Sequence, residues 1–140
     1  MDTTKNLELQ RLYQTSKHQL SDVIFLDDEM KFIKSIMSKY FLAMMHDYNV
    51  NRIQLINSHL SQLNLVKANV SKGLMVHQGQ LNSNINGIAF QNIDFLNLTS
   101  ERINDEIKDL HKSFRNIKRE IFSVYKDLTL DERLSEETLV

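Results

Sequence analysis

His18, Asp22 and Glu29 recur at four- and seven-residue spacing, which sets side chains on one face of an α-helix. Imidazole and carboxylate on such a face, met by an imidazole from a facing helix, form the donor set of zinc and di-iron sites in helical bundles. Such a site requires long helices that pack side by side. The chain has 140 residues, no proline and three glycines, a composition that favours long uninterrupted helices.

Hydrophobic periodicity supplies three of them. In helix one, about residues 5–47, a heptad counted from Leu9 carries Leu12, Val23, Leu26, Met30 and Met37. "DYNVN", Asp47 to Asn51, reads as a turn with asparagine caps. Helix two covers about 50–78 on Ile53, Ile56, Leu60, Leu63, Val70 and Leu74, with Gly73 and Gly79 weakening its end. "QLNSNING", Gln80 to Gly87, reads as the next connector. Helix three covers about 88–128 and keeps its three-four spacing from Ile93 to Leu128. Residues 129–140 read as a flexible tail. The same a and d positions also include Ser16, Gln19, Lys67, His77 and Ser100.

The predicted fold is all-α: one domain over residues 1–128, an elongated antiparallel three-helix bundle with coiled-coil-like packing. The alternative is a four-helix bundle with helix one split near Ser21-Asp22.

At 100° per residue, with His18 set to zero, Asp22 lies at about +40°, Glu29 at about +20°, Phe25 at about −20° and Phe32 at about −40°. The main apolar stripe centres near +110°. Asp22 and Glu29 therefore sit between two apolar lines, and helix one is apolar over roughly half its circumference. It has enough apolar surface for both other helices or for a second chain.

A first turn centred near residue 49 brings Asp22 beside His77, with His18 about a turn away. A second turn centred near 84 brings His59 beside His111. The metal reading therefore groups His18, Asp22, Glu29 and His77 around zinc or iron, with His59 and His111 as a weaker second cluster. No Glu-x-x-His pair of the ferritin-like kind accompanies them. The plainer reading makes His77 a core or register residue, Asp22 and Glu29 partners of rim cations, and His18 a surface residue; it requires no cofactor.

Other functions find less support. The chain has no cysteine, so it has no disulfide, thiolate zinc site or cysteine nucleophile. It also lacks a G-x-S-x-G motif and a glycine-rich phosphate loop. The adjacent acids Asp27 and Asp28 diverge by about 100° on a helix and cannot converge on one bond. The net charge of −1 argues against nucleic acid as partner. In "HKSFRNIKREIFSVYK", His111 to Lys126, Phe114, Ile117, Ile121 and Val124 belong to the buried stripe and the basic residues to the solvated face. Met30, Met37, Met44, Met45 and Met75 read as core filler, with an adaptable binding face as the alternative. No run approaches the roughly 20 apolar residues of a membrane span. The N-terminus lacks the order of a signal peptide, so a cytoplasmic location is expected. Two acceptor-type tripeptides, at Asn69 and Asn97, fall within helices. Thr138-Leu139-Val140 fits a C-terminal β-augmentation motif over three residues only.

"DDEMKFIKSIMSKYF" (Asp27 to Phe41) and "FRNIKREIFSVYKDL" (Phe114 to Leu128) resemble segments of small, uncharacterised helical-bundle proteins of flavobacteria and their relatives. The resemblance covers about a third of the chain and implies a bacterial, intracellular helical bundle. It brings no activity and no functional residue. The expected function is a non-enzymatic structural or protein-interaction bundle that self-associates or takes another helical protein as partner. The alternative is the metal-binding bundle.

Overall fold

The computed structural model describes residues 3–41 and 47–138, and it is an all-α bundle of three helices packed on one another. Helix α1 spans Thr3–Ile36 without a break at Ser21-Asp22 and continues as a π-helical segment, Met37–Phe41. Helix α2 spans Asp47–Ile85, and α3 spans Ile93–Thr138. No strand is present among the described residues. Leu139 and Val140, and with them the terminal motif, lie outside the described residues, as do Met44 and Met45.

The expected connector at Gln80 to Gly87 is mostly helix. α2 runs through Gly79, where an added Cβ would meet nothing within 4 Å, and ends on Gly87 at φ +71°. There Ile88 N donates to Ser83 O at 2.9 Å and Gly87 N to Asn84 O at 3.2 Å. This is the paired 6→1 and 5→2 closure of a Schellman cap, whose left-handed residue is usually glycine. Propensity disfavours glycine inside a helix by only about 1 kcal/mol, and burial of Leu81 next to Gly79 outweighs it. α3 starts where Asn92 caps it: Asn92 Oδ1 accepts from Asp94 N at 2.8 Å. The connector is tied to α2 by Asn84, whose Nδ2 donates to Gln91 Oε1 at 2.5 Å and whose Oδ1 accepts from Gln91 N at 2.8 Å.

The core is in two parts. The larger cluster takes Val23, Leu26 and Met30 from α1, Met37 from the π-helical segment, Ile53 to Leu74 from α2, and Ile103 to Val124 from α3. Phe114 is its largest fully buried side chain. The smaller cluster, beside the α2–α3 connector, is Leu9, Leu12, Leu81 and Leu96. Each follows from the heptad: three apolar stripes bury themselves only against one another.

Candidate functional site

The two core clusters are separated by a polar layer. Ser16 and Gln19 of α1, His77 of α2, and Thr99 and Ser100 of α3 are all buried at this height. Ser16, Gln19, His77 and Ser100 stand at positions that the heptad directs inward whatever their chemistry, and Thr99 flanks Ser100. Gln19 Nε2 donates to the Ser100 carbonyl at 3.1 Å across the α1/α3 seam. Ser16 Oγ donates to Tyr13 O at 2.6 Å and accepts from Gln78 Nε2 at 3.3 Å. These bonds tie all three helices at one level.

His77 is fully buried, and neither ring nitrogen has a hydrogen-bond partner among the described residues; nor does Gln19 Oε1. Burial pushes its imidazole below the ordinary value of 6.5, and the Arg102 cation pushes in the same direction. The ring is therefore neutral at pH 7. An open groove between α2 and α3 lies over it, lined by Lys72, Gly73, Phe95, Thr99 and Arg102 among others. A general base must reach the proton that it removes, and a ring with no exposed surface does not.

The residues of the expected metal site are placed separately. His18 and Asp22 are exposed. Glu29 is half-buried and faces Lys118 of α3 at 3.6 Å. His77 is in the interior. Among the described residues, no group of three or more histidines and carboxylates is placed to hold a metal ion. Register and facing both keep them apart. Lys67 bonds Asp27, and Gln78 bonds Ser16 at 3.3 Å, so α2 is about one turn out of step with the expected α1/α2 pairing. His77 lies level with residue 17, not with Asp22. His18 shares that height but points away from the core.

The second cluster does not form either. His59 Nδ1 lies 3.0 Å from Glu120 Oε2, and Glu120 is about 13 Å along α3 from His111. Because α2 extends to Ile85, the connector is 86–92 and its midpoint falls near 89, not 84. That shifts every α2/α3 pairing by about three turns. Arg52, whose Nη1 meets Asp127 Oδ2 at 2.6 Å, obeys the same register as His59.

One polar contact escaped the sequence reading. Lys67, at an a/d position, is buried and is held by Asp27 and by Asn64 Oδ1 at 2.8 Å. Lys31 approaches the other Asp27 oxygen at 3.0 Å. The hydrogen bond from Lys67, then that from Lys31, holds the Asp27 carboxyl below its ordinary value. Lysine at a heptad core position was the available signal; the acid that answers it depends on the α1/α2 register.

The second apolar line of α1 is where the sequence set it, outside the core. Phe25 is 63% exposed and Phe32 66% exposed. No helix among the described residues is long and apolar enough to cross a membrane. No family model matches the chain, and comparisons with curated proteins and with solved structures also found no match.

Proposed function

We propose that the chain is a non-enzymatic protein-interaction bundle that self-associates through a helical face. One observation carries this reading: Phe25 and Phe32, two turns apart on α1, present their rings to solvent opposite the core stripe. Single exposed apolar residues are ordinary on protein surfaces, whereas contiguous exposed apolar patches mark interaction sites. The polar layer suits this role. Buried polar groups at heptad positions set register and orientation, so the outward faces are presented in one fixed arrangement.

Sedimentation velocity over a hundredfold range of concentration tests the proposal. The expected result is a mass that rises with concentration, and a Phe25→Ser, Phe32→Ser variant that stays monomeric and melts with the wild type at dilutions where both are single chains. A wild-type mass equal to one chain throughout would remove self-association from the proposal.

A further inference from the structure

The outward surface shared by α1 and α3 has an unusual charge arrangement. α1 and α3 run parallel, and the Glu29–Lys118 contact at 3.6 Å fixes their register there. On the α1 side of this seam lie Asp22, Phe25, Asp28 and Phe32, all exposed. On the α3 side lie Arg115, Arg119, Phe122 and Lys126, also exposed, with Phe122 62% exposed and Lys126 Nζ 6.0 Å from its ring centre. One ridge is acidic with two phenylalanines, and its neighbour is basic with one. Asp22, Asp28, Arg115 and Arg119 make no ion pair among the described residues.

We infer that this face is the contact between two copies of the chain, related by a two-fold axis parallel to the helices. The inference rests on the self-association proposed above and names its surface and symmetry. A two-fold contact must be self-complementary, with residue i meeting j and j meeting i. Rotation about an axis along the seam lays the α1 ridge of one copy on the α3 ridge of the other, at the same height. The register carried from Glu29 and Lys118 then sets Phe32 against Phe122, Phe25 against Arg115 and Asp28 against Arg119, each within about a turn. An aromatic pair, a cation over a ring and an ion pair are each favourable, and each occurs twice. A two-fold axis perpendicular to the helices would instead lay acid on acid and base on base. Residues 22–36 of α1 run about 21 Å alongside the longer 108–126 segment of α3, a shared strip about 20 Å wide. Its roughly 400 Å² of projected area per copy corresponds to a weak, concentration-dependent dimer.

The basic ridge by itself would also suit a polyanion, but the acidic ridge a helix width away opposes one. The α2/α3 seam lacks this pairing of ridges: its charges answer each other within the chain, Arg52 with Asp127 and His59 with Glu120.

Because the chain contains no cysteine, introduced thiols report contacts cleanly. Asp28→Cys and Arg119→Cys chains are mixed under mild oxidation and compared with each variant alone. The expected product is a mixed disulfide dimer that neither variant forms by itself. In parallel, sedimentation is measured for Asp28→Arg, for Arg119→Asp and for the chain carrying both. Each single reversal is expected to weaken association about tenfold, and the double reversal to restore it. Association that persists with cross-linking of Asp28→Cys to itself, or without rescue, overturns the assigned face and symmetry but leaves self-association standing. A wild-type chain that remains monomeric overturns both. A monomer whose salt-dependent binding to a short DNA duplex is lost in Arg119→Asp also overturns the inference, in favour of a polyanion site.

Discussion

The long apolar core between Val23 and Val124 and the layer at His77 are built on the same heptad, yet they do opposite things. Apart from Lys67, which Asp27 and Asn64 answer, the inward positions of the first are filled by side chains that gain by leaving water. Inward positions of the second hold Ser16, Gln19, His77 and Ser100, and three of their buried polar atoms have no hydrogen-bond partner among the described residues. Each orphaned group costs about 1–3 kcal/mol. The apolar core therefore carries the stability. The polar layer spends part of it on contacts that join the helices at one level, Gln19 to the Ser100 carbonyl and Gln78 to Ser16. Beyond the layer, the four-leucine cluster is a small satellite core that depends on the layer's alignment.

The sharpest way to break this contrast is Phe114→Ala, at the centre of the apolar core. It should cost about 3–5 kcal/mol through lost burial and the cavity left behind, read as a lowered denaturant midpoint with an unchanged slope. Leu96→Ala, in the satellite core, should cost about 2–3 kcal/mol. Its effect should be local: hydrogen exchange should rise for amides near Leu9, Leu81 and Leu96, while those around Phe114 keep their protection. Equal loss at both ends would mean that the polar layer does not divide the bundle.

His77→Leu tests the layer itself. Replacing an imidazole without partners by an apolar group of similar size should stabilise the fold by about 1–3 kcal/mol. The pH dependence should change with it. The folded-state value of His77 lies below 6.5, so the unfolded chain takes up its proton first as pH falls. Wild-type stability is then highest with this group neutral in both states, and declines as pH drops below about 6.5. Thermal melts from pH 8 to pH 5 should show that decline in the wild type and a flatter profile in His77→Leu. Asp27 acts at lower pH: its depressed value contributes stability that is lost only as pH falls through the acid range.

The smallest effect is expected at the surface. Arg52 reaches both Asp127 and Ser123 at 2.6 and 3.2 Å, but the pair is largely exposed. Arg52→Ala should cost no more than about 1 kcal/mol, and less in high salt. A larger loss, measured by chemical denaturation, would make this ion pair a determinant of the α2/α3 register.

What the sequence determined by itself is the class of fold and the inward face of each helix. Apolar residues at three-four spacing, unbroken by proline, have one economical burial in water, and Leu12, Leu26, Leu60, Leu74, Leu110 and Phe114 lie in it. Ser16, Gln19, His77 and Ser100 were equally visible as polar residues at inward positions, as was the outward line of Phe25 and Phe32. Longitudinal register was left to the tertiary structure. A heptad looks the same after every slide of one repeat, so periodicity says which face is buried but not which residue of the next helix it meets. The capped turn at Gly87 decides that, and it stands far enough beyond the expected connector to carry His59 past His111 to Glu120. The height of His77 follows from the contacts of Lys67 with Asp27 and of Gln78 with Ser16. An ion or substrate site requires several side chains to converge within a few ångströms, whereas one helical turn already displaces them by about 5 Å. The inward faces survive such an error; the expected pairings of Asp22 with His77 and of His59 with His111 are displaced by it.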